Sequence, residues 1–221
     1  MSRKERSIKK VFKVFCEGDT EYNYFDNIRT TKNISLAIRP VNMGGGGYAN
    51  FISKLKCDSY SNCIAKFIVV DGDKAHADSS EQKRLDELIQ YCRMQNNSKR
   101  IPHILIVNFP DFEYVACLHF ENYNGKNSEQ FITGELKYKS ISDFKSDKKV
   151  LINIENKGGS FNSLLKAINR NNVIVNNKIS VKKKIYEITV DKTEYYSQNI
   201  GKKGTNINDF FDVLDKLGIL I

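Results

Sequence analysis

The chain has 221 residues, 40% hydrophobic and 28% charged, the composition of an ordinary globular protein with room for one domain and a real core. Its net charge of +9 favours polyanionic partners, nucleic acid first, although a lysine-rich solvated surface accounts for the same figure. No stretch approaches the roughly 18 consecutive apolar residues of a membrane span, and the run Val11 to Glu17 after the basic start (Arg3, Lys4, Arg6, Lys9, Lys10) is too short for a signal-peptide core, so a cytoplasmic location is expected.

The elements alternate along the first half. Val11 to Cys16 is a β-rich run that ends at Glu17-Gly18, and Thr20 to Ile28 follows with Tyr24, Phe25 and Ile28 at helical spacing. Ser35 to Val41 reads as a strand closed by the glycine run Gly44 to Gly47, and Tyr48 to Lys56 as a second helix. Lys66 to Val70 is a buried-strand run ending in Asp71-Gly72-Asp73. Glu81 to Met94 is a helix with Leu85, Leu88, Ile89 and Cys92 on one face, and His103 to Val107 is a further strand.

This β-α-β-α-β-α-β order predicts an α/β fold with a parallel sheet, and the continuous apolar strands fit a sheet covered by helices on both faces. Phe112 to Glu121 reads as helical. Beyond it the signals weaken into a mainly helical or mixed appendage, in which Phe161 to Ile168 and Asn208 to Leu217 are the clearest helices and Val173 to Val190 is compatible with a hairpin. The expected division is residues 1–122 as catalytic core and 123–221 as basic appendage, or the two packed as one domain. Up to Gly125 there are 18 basic and 15 acidic residues, a balance of +3; after it there are 17 and 11, a balance of +6.

The five cysteines (Cys16, Cys57, Cys63, Cys92, Cys117) are scattered and never spaced Cys-x-x-Cys, so neither a disulfide framework nor a zinc site is expected. The acids are more informative. In open parallel sheets, sites lie at the carboxyl ends of strands, and Glu17 closes the first strand while Asp71 and Asp73 close the third. If the chain is still extended there, the spacing of two points both aspartates the same way. Mg²⁺ takes one or two carboxylates and completes its shell with water and phosphate oxygens, and a cation relieves the repulsion that clustered carboxylates otherwise suffer. Each acid alone is also an ordinary turn signal; the pair of strand ends together favours the metal.

Around this set lie weaker candidates. Glu113 is either a further metal ligand or a helix-dipole-favoured residue in a first turn. His119 reads as a packing residue and His76 as a loop residue. Lys74 is either a group that steers a phosphate or a solvated lysine, and Lys182, Lys183 and Lys184 either contact a nucleic-acid backbone or protect a solvated edge strand. Gly44 to Gly47 lacks the lysine and hydroxyl of a P-loop; it reads either as backbone that can approach a phosphate or, the favoured reading, as a mobile loop.

Three stretches carry a resemblance. Phe15-Cys16-Glu17-Gly18-Asp19-Thr20-Glu21-Tyr22-Asn23-Tyr24-Phe25, then Val69-Val70-Asp71-Gly72-Asp73, then Asn108 to Phe120 with Pro110, Phe112, Glu113, His119 and Phe120, resemble in order the signatures of the RloB-like family. Gly204 to Leu217 resembles its closing helix. The chain departs from the family in having Phe109 where Asn usually precedes the proline, and in having no tryptophan, with Val115 near that position.

The resemblance implies a Toprim-like fold, similar to OLD-type nucleases, and a Mg²⁺-dependent (or Mn²⁺-dependent) hydrolysis of phosphodiester bonds in DNA or RNA, tRNA included. It also implies an effector role in an abortive-infection phage-defence system beside an AAA-type ATPase encoded nearby, with a homo-oligomer left open. On that reading Glu17, Asp71 and Asp73 are both catalytic and metal-holding. The rival expectation is a non-catalytic regulatory or scaffold subunit that binds the ATPase.

Overall fold

The computed structural model describes residues 10–32, 37–58, 63–98 and 101–219; the basic residues 1–9 and the expected strand start at Ser35 lie outside them. The first half contains β1 (Val11–Cys16), α1 (Asp19–Thr31), β2 (Ala37–Asn42), α2 (Gly47–Cys57), β3 (Cys63–Asp71), α3 (Asp73–Ala77), α4 (Ser79–Asn97), β4 (His103–Phe109) and α5 (Phe112–Cys117). The second half contains α6 (Ser128–Gly134), α7 (Ile141–Lys145), α8 (Val150–Asn156), α9 (Phe161–Ala167), β5 (Val175–Lys182), β6 (Glu187–Tyr195), β7 (Gly204–Thr205) and α10 (Asn208–Lys216).

The main sheet has the order β2-β1-β3-β4-β7, with β7 alone antiparallel. Mostly parallel and flanked by helices, it is consistent with a Toprim-like α/β fold. Strand alternation divides the core into two layers. Phe12, Val14, Phe67, Val69, Ile104 and Ile106 face α1, α5, α8 and α10, while Phe15, Ile68, Val70, Leu105 and Val107 face α2 and α4. Because β1 has β2 on one side and β3 on the other, the chain reverses direction across the sheet at the β1/β3 carboxyl ends. Such a switch point opens a crevice outside the strand ends.

The second half is built into this core. Phe210 of α10 is fully buried, with its ring 5.0 Å from both Phe25 and Phe67, and β7 extends the sheet through the pairs Asn108↔Thr205 and Phe109↔Gly204. The hydrophobic layer therefore continues across residue 122. Strands β5 and β6 form a separate antiparallel hairpin. It is fastened to β4 by the Asn177 side chain, which donates to Leu105 O at 2.9 Å.

Two expectations shift at their edges. The helix expected over Phe112 to Glu121 ends at Cys117 and gives way to turns, with Leu118 N–H returning to Tyr114 and Val115 carbonyls. The helix expected from Glu81 starts at Ser79, because Asp78 caps it by accepting from Ser80 N–H.

Candidate functional site

The crevice at the switch point is a cleft of about 300 Å³ lined by Glu17, Gly18, Asp19, Thr20, Glu21, Gly45, Asp71, Asp73, Lys74, Glu113 and Lys145. Six carboxylates and two ammonium groups thus line one cleft. Glu17 leaves the end of β1 and braces β3: its Oε2 accepts the Asp71 N–H at 3.1 Å and its Oε1 pairs with Lys74 Nζ at 2.6 Å. Tyr48 of α2 braces the same strand end by donating its hydroxyl to Asp71 O at 2.6 Å. The glycine run keeps φ between 66° and 91° throughout, a conformation that only glycine adopts cheaply, and Gly45 N–H donates to Glu17 O at 3.0 Å. That bond places the glycine loop at the rim of the cleft, which Gly45 lines.

Asp71 and Asp73 do not share an extended stretch. The strand ends at Asp71, Gly72 turns into helical dihedrals, and Asp73 opens α3 with its Oδ1 accepting from Lys74 N–H at 2.6 Å. Asp73 is exposed at the rim, whereas Asp71 Oδ1 is buried without a hydrogen-bond partner. Glu113, buried in the first turn of α5, accepts from the Thr20 hydroxyl at 3.1 Å and faces Lys145 Nζ at 3.4 Å.

Two residues of the cleft carry roles that the sequence did not single out. Glu21 caps α1 by accepting Gly18 N–H at 3.2 Å, and the spacing Gly18-x-x-Glu21 is a capping signal that brings its carboxylate back over the strand end. Lys145 stands on the five-residue α7, far along the chain, and no local pattern marks it.

The electrostatics follow from crowding. Burial, then the neighbouring Glu21, Glu17, Glu113 and Asp111 carboxylates, push the Asp71 pKa well above the usual carboxylate range. Burial and the Glu113 and Glu17 charges carry Glu21 from 4.5 to about 7, and burial with Asp111 raises Glu113. The hydrogen bond that Lys74 donates to Glu17 raises the Lys74 pKa. Burial works against the Lys145 charge, but the Glu113, Asp111 and Asp71 carboxylates outweigh it and hold that pKa above the ordinary lysine value.

Among the described residues no three Asp, Glu, His or Cys side chains converge as a ready-made ligand set. That absence concerns only a preassembled cage of side chains. It does not argue against Mg²⁺, which needs only one or two carboxylates, and the buried, unpartnered Asp71 Oδ1 among repelling acids fits a cation of that kind.

The remaining candidates sort by position. His119 is buried, its Nε2 meets the Tyr24 hydroxyl at 3.0 Å, and burial lowers its pKa to about 4. That is packing. His76 stacks edge-on against Phe109. Lys182 to Lys184 close the β5–β6 hairpin, with Lys182 paired to Glu187 at 2.9 Å. The neighbouring Ile185 O accepts from Lys10 Nζ at 2.7 Å, which places the tip at the amino end of β1. Since β1 spans six residues, the tip and the cleft are separated by roughly 20 Å at 3.3 Å per residue. The structure brings Lys74 to the acids and leaves these three lysines at the opposite end of the sheet.

Comparison with known proteins decides the lineage. The family model described as RloB-like protein matches residues 12–212, from within β1 to within α10. The chain belongs to the RloB-like protein family. No curated protein and no solved structure matches it significantly. The match takes in all of the cleft of this RloB-like protein, Glu17 to Lys145, and runs through both halves of the core. No helix among its described residues is long and apolar enough to cross a membrane.

Proposed function

We propose that this RloB-like protein is a metal-dependent nuclease that hydrolyses phosphodiester bonds of DNA or RNA. The observation that carries the reading is Asp71, whose Oδ1 is buried without a partner at the switch point while Glu17, Glu21 and Glu113 crowd around it. Mg²⁺ or Mn²⁺ would be held by Asp71 with Glu17, Asp73 or Glu113, and would supply Lewis acidity and a more acidic water. Lys74 and Lys145 hold the non-bridging oxygens of the phosphate and balance its charge. Glu21, with a pKa of about 7 in the same cleft, is the group suited to take a proton from the attacking water near neutral pH. The acids at the strand ends orient and the two lysines anchor.

The wider setting is part of the proposal. The protein acts in the cytoplasm as the effector of an anti-phage system and answers to an AAA-type ATPase partner. The scaffold alternative draws on one observation: both Glu17 oxygens are already engaged, by Lys74 and by Asp71 N–H, as in a simple strand-end brace. The test is purification with the neighbouring ATPase, followed by incubation with mixed DNA and RNA in Mg²⁺ or EDTA. Cleavage in Mg²⁺ that disappears in Asp71→Ala supports the nuclease. Equal end-product levels in both proteins favour the scaffold.

A further inference from the structure

We infer that Asn108 is a positioning residue for Asp71, held in place by a relay from Thr205; the inference rests on the metal-binding reading of Asp71 proposed above. It starts from strand register. In the parallel β3–β4 pair Asp71 lies beside Asn108, and in the antiparallel β4–β7 pair Asn108 lies beside Thr205. Alternation along β3 (Phe67, Val69, Asp71) and β4 (Ile104, Ile106, Asn108) puts the two side chains on the same face of the sheet.

The direction of the Asn108 amide follows from counting protons. Thr205, fully buried, accepts Ile207 N–H on its Oγ1 at 3.1 Å and lies 2.7 Å from Asn108 Oδ1. A hydroxyl has one proton to give, and among the described residues that proton has no other acceptor than Asn108. The amide oxygen therefore faces β7 and the amide nitrogen faces β3. There, Asn108 Nδ2 is a buried donor without a partner, and its register neighbour Asp71 presents a buried acceptor, Oδ1, without a partner. The two orphan groups are complementary in chemistry, adjacent in register and on one face. The structure shows no direct bond between them, so the link needs one bridging water or a small turn of the Asp71 carboxylate. Either holds one oxygen of Asp71 inward and leaves the other for the cleft. Such outer partners fix a ligating carboxylate in one orientation. The C-terminal strand β7 thereby sets the geometry of an acid that closes β3.

The test uses the full chain. Mn²⁺ affinity is measured by calorimetry for the wild type, Thr205→Val, Thr205→Ser and Asn108→Ala, and the Asn108 side-chain amide is followed by ¹H–¹⁵N NMR in the metal-free wild type and Asp71→Asn. Thr205→Val removes the relay hydroxyl at constant shape, and Thr205→Ser restores it. Affinity about 10–100-fold weaker in Thr205→Val and Asn108→Ala, rescued in Thr205→Ser, with an Asn108 amide resonance that moves in Asp71→Asn, supports the inference. Wild-type affinity in Thr205→Val and Asn108→Ala overturns it. If the wild type binds no Mn²⁺, the metal reading fails separately, and the NMR arm decides: a shifted Asn108 amide supports the contact, and an unmoved one overturns it.

Discussion

Replacing Glu21 with Gln isolates the electrostatic strain of the cleft, because the amide oxygen still accepts Gly18 N–H at the α1 cap while the charge is lost. The folded protein carries the Glu21 carboxyl from 4.5 to about 7. The folded state therefore keeps the proton to higher pH than the unfolded chain, and the carboxyl erodes stability as pH rises from about 4.5 through about 7. At about 1.4 kcal/mol per pH unit this amounts to about 3 kcal/mol at pH 8. That figure is a ceiling, since Asp71 and Glu113 rise for the same reason and share the relief.

For a chain of this length 1 kcal/mol shifts Tm by roughly 2–4 °C, so Glu21→Gln gains up to about 6–12 °C at pH 8 and little at pH 5. The assay is paired thermal melts of variant and wild type in EDTA across that range. A gain that does not grow with pH, or a lower Tm for the variant at pH 8, refutes the reasoning, because the Glu21 carboxylate is then not repelled in the folded state.

Phe210→Ala removes a ring that packs on Phe25, Phe67 and Phe211 and should cost about 3–5 kcal/mol; a chemical-denaturation midpoint close to wild type would show that α10 is peripheral. Tyr48→Phe deletes the 2.6 Å bond to Asp71 O and is expected to lower stability by about 1 kcal/mol, read in the same denaturation series. Lys74→Gln and Lys145→Gln should each reduce the salt slope of nucleic-acid binding by about one unit. The triple change of Lys182, Lys183 and Lys184 to Gln should leave that slope at its wild-type value, and a fall of two or more would place the nucleic-acid path at the hairpin tip.

The strands and long helices of the first half were legible because local signals and tertiary environment agree there. Val69 and Val70 read as buried strand and are buried strand, and Leu85, Leu88 and Ile89 give α4 its inner face. Of the short elements, α9 was legible over Phe161–Ala167, while β7 and α7 were not. The two residues of β7 hold their place through pairing with β4, and helices as short as α7 depend on what they pack against rather than on propensity.

The site shows the same split. Glu17 and Asp71 sit at strand ends that periodicity alone locates, and the cleft gathers both. Glu113 reaches it because Asp111 caps α5 and aims the first turn inward. The extended geometry expected for Asp71 to Asp73 failed at Gly72, whose helical dihedrals start α3 immediately. Lys145 left no trace in the sequence, since its role comes from distance in space to Glu113 rather than from any spacing along the chain. Lys182 to Lys184 stood out as a charge run, yet a run gives no position, and the hairpin carries it to the far end of the sheet.

The central claim is that Asp71 anchors a divalent cation at the switch point. Calorimetric titration of Mn²⁺ into the full chain at neutral pH, beside Asp71→Asn, tests it most directly. The account predicts saturable binding by the wild type that Asp71→Asn loses, with the variant at least as stable in EDTA because a buried, repelled charge is gone. Equal Mn²⁺ affinity in the two proteins, or none in the wild type, would contradict it.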